Sequence, residues 1–398
     1  MKHCFIRIVV LIATVLVMLT VAPEASQKFP TEAKRVISAY NDFGFQLLKK
    51  LASKASDRNI FISPSSLAIA LTIAYNGAVG ETKEAMARVM ALEGISDDDI
   101  NRANAEIRQL LQKLDPKTEL LIANALWLRE GINFREEFLT LTRKFFDAEL
   151  DKLTTEKPIN DWVALKTKGK ITHLIDRNQI TPLIVLVITN AIYFKGLWRR
   201  PFEKRLTKPK DFYLPTGARV KVPMMSQSGR FLYLRGKGFQ AVCLPYGETG
   251  RLEFCLFVPD KGKSLADFLQ ALNCQNWEDW MAKFRLTEGN VRMPRFKVEY
   301  GTISLKELLS DMTMRIAFTE GSANFSKIAF GIWIDDVLHK AVIEVNEEGT
   351  EAVGGTAVLF KGLLMPERFT LIADRPFFFA IRDTLTGLVL FAGILNKP

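Results

Sequence analysis

The chain is expected to fold as α+β, with helices gathered early and strands late. Three observations carry that expectation. Apolar residues recur at helical spacing through the first third. A long apolar, β-branched run occupies residues 181–194. Short apolar strand-like runs separated by turn residues fill much of the rest. At 398 residues, length alone suggests two or three domains of roughly 150 residues, but no repeat or low-complexity linker divides the chain. A hydrophobic content of 48% and a charged content of 25% are ordinary for a chain that buries a large core.

The first segment stands apart. Lys2 and Arg7 precede an uncharged run from Ile8 to Ala22. A basic start followed by an apolar stretch of this length predicts a secretory signal, residues 1–25, cleaved between residues 22 and 26. It is short for a membrane span, which needs about 20 apolar residues. The alternative is an uncleaved anchor. A signal implies a secreted, extracellular protein.

Residues 31–54 then carry Val36, Ile37, Tyr40, Phe43, Leu47, Leu48 and Leu51 at helical spacing. Ser63-Pro64-Ser65-Ser66 starts a second helix, because serine before proline suits a helix N-terminus. Helical patterns continue through 81–92, 97–114 and 134–146. Residues 120–128 read as a strand. Residues 181–194 read as a central strand buried on both faces. Strands fill 210–260 around a Gly247-Glu248-Thr249-Gly250 turn, and further strands are expected at 337–345, 377–382 and 389–395.

Residues 347–369 fit neither period. They run from Glu347-Glu348-Gly349-Thr350 through small residues into β-formers. A loop longer than about 15 residues inside a compact domain is usually functional or disordered, and its place between two strand-like blocks favours function.

Catalytic chemistry is hard to find. Beyond the signal the only histidines are His173 and His339, and no Gly-x-Ser-x-Gly elbow, zinc motif or Walker loop occurs. Gly236-Lys237-Gly238-Phe239-Gln240-Ala241 matches a loose dinucleotide pattern, but it enters a strand-like run where a nucleotide site needs a helix. No metal, cofactor or specific nucleic acid is implied, and the chain does not read as an enzyme. Beyond the signal, Cys243, Cys255 and Cys274 make an odd count. Cys243 and Cys255 could face each other across a hairpin, but buried free thiols are the favoured reading. The net charge of +10 favours anionic partners. The densest basic run is Arg199, Arg200, Lys204, Arg205, Lys208 and Lys210, where a heparin-like polyanion could lie. Asn324-Phe325-Ser326 is a glycosylation sequon.

Several motifs, in order, resemble the serpin family of serine protease inhibitors from about residue 33 to Pro398. They are Asn59-Ile60-Phe61-Ile62-Ser63-Pro64-Ser65-Ser66, the block Thr189-Asn190-Ala191-Ile192-Tyr193-Phe194-Lys195-Gly196-Leu197-Trp198, Val222-Pro223-Met224-Met225, Glu344-Val345-Asn346-Glu347-Glu348-Gly349-Thr350-Glu351-Ala352, Arg375-Pro376-Phe377 and Leu390-Phe391-Ala392-Gly393. The resemblance implies one domain of three β-sheets and about nine helices, with an exposed reactive-centre loop at about 347–369.

It also implies roles. Glu347, Glu348, Gly349, Thr350, Glu351, Ala352, Val353, Gly354 and Gly355 would form the hinge. The reactive bond would be Leu363–Leu364, suiting a chymotrypsin-like or elastase-like protease, or Lys361–Gly362, suiting a trypsin-like one. Ser63, Ser66, Asn190 and His339 would form the shutter, where polar groups bridge the central strands. Trp198, Arg295 and Glu347 would mark the breach. In such an inhibitor the cleaved loop enters the large sheet and the protease stays covalently attached. Residues 350–363 would span about 46 Å as a strand, with Thr350, Ala352, Gly354, Thr356, Val358 and Phe360 on one face. These lead with small or β-branched side chains, whereas the paired Gly354-Gly355 weakens a strand. The mature protein would be a monomer at risk of loop–sheet polymerisation. The alternative is a non-inhibitory serpin acting as carrier, chaperone or storage protein.

Overall fold

The computed structural model describes residues 31–55, 57–350 and 369–398. The expected signal, the later hinge residues Glu351, Ala352, Val353, Gly354 and Gly355, and both candidate bonds, Leu363–Leu364 and Lys361–Gly362, lie outside the described residues. The first half supplies α1 (Thr31–Lys54), β1 (Ile60–Ile62), α2 (Pro64–Gly77), α3 (Glu81–Val89), α4 (Asp97–Leu111), β2 (Thr118–Arg129), α5 (Glu136–Phe145), β3 (Glu149–Leu153), α6 (Glu156–Lys166) and β4 (Leu186–Leu197). The second half adds β5 (Lys208–Tyr213), β6 (Arg219–Gly236), β7 (Phe239–Pro245), β8 (Leu252–Pro259), α7 (Leu265–Ala271), α8 (Cys274–Lys283), β9 (Arg285–Pro294), β10 (Phe296–Ser304), α9 (Lys306–Leu309), β11 (Asp336–Val345), β12 (Gly349–Thr350), β13 (Phe369–Ile372), β14 (Phe377–Asp383) and β15 (Val389–Leu395). No helix among these residues is long and apolar enough to cross a membrane.

The architecture is α+β, as expected. A six-stranded sheet runs β10-β11-β12-β4-β2-β3. The other strands form one nine-stranded sheet, β1-β15-β14-β8-β7-β6-β9-β13, with β5 on β6. The 18-residue β6 explains why the expected second and third sheets run together. Its first residues pair with β5, its last with β7, and β9 follows most of its length.

Local rules start most helices correctly. Ser63 caps α2, its hydroxyl accepting from the Ser66 N–H, with Pro64 at the first helical position. Every residue of α2 is buried, since the helix is packed on all sides. The central strand starts later than its apolar run. Residues 181–185 form a turn, closed by the Ile184 N–H on the Thr181 carbonyl. The Asp335 carboxylate then receives the Val185 and Leu186 N–H groups.

Two expectations are corrected. Helices are not confined to the early chain, because α7 and α8 form at residues 265–283, capped by Ser264 and Asn273. Cys243 and Cys255 are not free thiols but a disulfide. The β7–β8 register sets them directly opposite, with Cα atoms 4.1 Å apart. Cys274 is free and buried, its sulfur 3.1 Å from the Ser38 hydroxyl.

One buried ion pair fastens the helical flank to the strands. Arg251 binds the wholly buried Asp383 with two hydrogen bonds, of 2.9 and 3.1 Å. The same guanidinium donates to the carbonyl of Leu110 in the last turn of α4 and to that of Lys113 just past it. Arg251→Ala would leave Asp383 charged and unpaired in the interior. It is expected to lower unfolding stability by about 3–5 kcal/mol, read as a reduced urea midpoint.

Candidate functional site: the sheet opening and its hinge

Two polar clusters interrupt the apolar centre of the six-stranded sheet. The lower one lies where β4 and β11 pair directly, in parallel, from Asp336↔Val187 to Ala341↔Ile192. His339 and Asn190 are partners in that register, and Asn124 of β2 is the partner of Asn190 on its other side. Both Asn190 and His339 have no solvent exposure.

Their hydrogen bonds form one string. The Asn190 carboxamide donates to Asn124 Oδ1 at 2.6 Å and to the Ser66 hydroxyl. His339 Nδ1 lies 2.6 Å from Asn190 Oδ1, and the Ser63 N–H donates to His339 Nε2 at 3.1 Å. Because Nε2 must accept, the ring is neutral and carries its proton on Nδ1. The Ser63 hydroxyl donates onward to the Leu390 carbonyl at 2.6 Å. Ser63, Ser66, Asn190 and His339 thus share one network, joining three strands to the N-terminus of α2. Asn124 belongs to it too and was missed, although it is the one polar residue in the run 120–128.

The upper cluster surrounds the end of β11. Glu347 is 2% exposed. Arg295 grips its carboxylate from two nitrogens, at 2.7 and 3.2 Å, and the Thr207 hydroxyl donates to it at 2.7 Å. Burial alone would push this carboxyl up, but Arg295 and Thr207 outweigh it and hold it below the usual carboxylate range. Glu348 receives Lys204 Nζ at 2.6 Å. The Trp198 indole N–H donates to the Asn346 carbonyl at 2.9 Å, and its backbone N–H to Glu348. Asn346 Oδ1 collects the N–H groups of Glu348 and Gly349, closing a tight turn.

Beyond that turn, Gly349 and Thr350 form the two-residue β12 between the ends of β11 and β4. A Cβ on Gly349 would sit 2.0 Å from the Gly196 carbonyl oxygen, so only glycine lets the backbones approach. The buried Thr350 hydroxyl lies 2.6 Å from the Tyr246 hydroxyl, and Tyr246 stacks on Trp198 at 4.5 Å between centroids. Tyr246 and Thr207 were also missed. Both sit near turns, and only the tertiary fold brings them to the hinge.

The basic run is partly spent on local pairs. Lys204 holds Glu348, Arg205 pairs with Glu203 at 2.6 Å, and Arg200 lies against Phe231 and the Ser228 carbonyl. Arg199, Lys208 and Lys210 are exposed and make no ion pair among the described residues. The Asn324 side chain is exposed, with its oxygen accepting the Ser326 N–H at 3.2 Å. His173 is at the surface beside Asp176, far in function from the buried His339.

Burial depresses the His339 pKa to about 3, from an ordinary 6.5. Above pH 6.5 the ring is neutral both folded and unfolded. As pH falls from 6.5 toward 3, only an opened or unfolded chain takes up the proton, so the closed sheet loses stability. Below 4.5 the depressed Glu347 carboxyl adds a second loss in the same direction. Urea midpoints are expected to fall steadily from pH 7 to 4. In His339→Ala the part between pH 6.5 and 4.5 should flatten. Its pH 7 stability should drop by about 1–3 kcal/mol, because the Ser63 N–H loses its acceptor.

Comparisons agree with this geometry. The family model described as Serpin (serine protease inhibitor) matches residues 38–398. An uncharacterized serpin-like protein of Thermococcus kodakarensis is 36% identical, over 92% of this chain and 87% of that one. The crystal structure of the thermophilic serpin tengpin in its native state superposes with a TM-score of 0.84 at 29% identity, over 95% and 97% of the two chains. That of native protease nexin-1 with heparin gives 0.81 at 27%, over 92% and 99%. A matching model over most of its length, on a fold shared with solved members, establishes that the chain belongs to the serpin family.

Proposed function

We propose that this protein is a secreted suicide-substrate inhibitor of serine endopeptidases. The observation that carries this reading is the position of Gly349–Thr350. These residues lie between the ends of β4 and β11, whose own pairing stays closed from Ala341 to Asp336. The hinge is seated at the mouth of a gap that a longer strand could open. Loop insertion is the family's known form of strand addition.

The protein is not the catalyst in this scheme. The target's serine attacks the Leu363 carbonyl, Leu364 leaves as the new amino terminus, and an acyl-enzyme forms. Residues 350–363 then enter between β4 and β11, carrying the protease with them and stalling deacylation. The apolar Leu363 suits a chymotrypsin-like or elastase-like pocket, with Lys361–Gly362 as the alternative for a trypsin-like enzyme. Residues 1–25 serve as the secretory signal. The protein acts as a monomer, and a neighbour's loop entering the same gap would produce loop–sheet polymers. Of the exposed basic run, Arg199, Lys208 and Lys210 lack an ion pair among the described residues and would meet a heparin-like polyanion first, a reading supported by the heparin-bound relative. Neutralising these three should abolish retention on heparin at physiological salt.

Incubation with chymotrypsin should yield a covalent complex that survives SDS, and mass spectrometry of the cleaved carboxy-terminal fragment should begin at Leu364. Thr350→Arg places a charge against Tyr246 in the interior and should turn the inhibitor into a substrate. Cleavage of the unmodified protein should sharply raise its Tm. Cleaved product without complex, and without a rise in Tm, would favour the carrier, chaperone or storage reading.

A further inference from the structure

A cavity of about 600 Å³ lies beside the β1–β15 edge of the nine-stranded sheet, and none of the hinge or shutter residues lines it. It is lined by the last turns of α1, by α7 and by the β1–β15 pair. Its volume falls within the roughly 300–1,000 Å³ common for small-molecule sites. Ile60, Leu265, Leu269 and Ile394 give it an apolar floor, and three of these are buried or nearly so. Lys49 and Lys263 stand at its rim, and neither makes an ion pair among the described residues. A third cation, Arg375, is already bound to Asp374 and the Pro259 carbonyl. No acidic side chain lines the cavity.

An apolar floor with unneutralised cations at one rim selects a particular chemistry. The occupant has an extended apolar body and an anionic head. Each methylene it buries contributes about 0.8 kcal/mol, and the lysines can keep their ammonium groups in water while their stems cover the chain. We propose that this cavity binds a single-chain fatty carboxylate. The concave shape holds one chain below the surface, which favours a monomeric acid over a lipid bilayer. The site is separate from the sheet opening, so binding here does not depend on protease inhibition.

The test is calorimetric titration of the full chain with laurate below its micellar concentration, at neutral pH and in low salt. Dodecanol and dodecyltrimethylammonium serve as neutral and cationic controls. Saturable binding of one laurate is expected, with the cationic analogue at least tenfold weaker. Lys49→Gln/Lys263→Gln, at a half-buried and an exposed position, should weaken laurate about tenfold and leave dodecanol unchanged. Ala52→Trp should block both by filling the cavity. If Ala52→Trp unfolds, Ala266→Trp on α7 makes the same obstruction from an exposed position. Absence of saturable laurate binding would overturn the proposal. Binding indifferent to both the lysine and the tryptophan variants would overturn the location. Equal affinity for the cationic analogue would overturn the head-group assignment. Sedimentation with phosphatidylserine vesicles that laurate does not compete away would make this a membrane-docking face instead, and would also overturn it.

Discussion

The contact between His339 and Asn190 closes the centre of the six-stranded sheet. It sits in the parallel ladder that joins β4 to β11, and while that ladder holds, the six-stranded sheet has no room for another strand. Four polar side chains are buried there, bonded to one another, to Asn124, to the Leu390 carbonyl and to backbone N–H groups. Such a network is costly to leave half made. Joined as it is, it closes β4 onto β11.

The hinge cluster adds a second hold of a different kind. Glu347 and Glu348 are fixed by cations that reach in from the surface, Arg295 and Lys204. Trp198 and Tyr246 then form an aromatic plate beneath β12. The disulfide lies in the same hairpin that presents Tyr246, bridging β7 and β8 three residues away. Thr350 of β12 is thus held against a disulfide-bridged hairpin of the other sheet. Polar bonds close the sheet at its middle, and stacked aromatic rings support β12 at its end.

Much of this was legible in sequence where the cause is local. Serine before Pro64 marks the start of α2, and the β-branched run through Ile188 and Thr189 marks the central strand. The late helices left signals too, in Ser264 with Asp267 three residues on, but the surrounding strand pattern masked them. The disulfide needed a register that two cysteines and a turn do not determine. The grouping of Ser63, Ser66, Asn190 and His339 came only through family resemblance, since they lie up to 276 positions apart. Asn124, Tyr246 and Thr207 had no local mark of their roles. Their partners are chosen by sheet order, which no single segment encodes.

Thr350 carries a consequence for how this loop can change over generations. Its side chain is committed inward by Tyr246, so it fixes which face every following residue of a continuing strand would present. Substitutions at alternate positions are then judged by different rules, one set for the interior and one for water. Changes in length are judged more harshly. Adding or removing one residue between Thr350 and the proposed reactive bond exchanges the two sets beyond that point, whereas adding or removing two restores them. If the proposed insertion is kept, variation in loop length among descendants of this sequence should come in even steps up to the reactive bond, and be free beyond it.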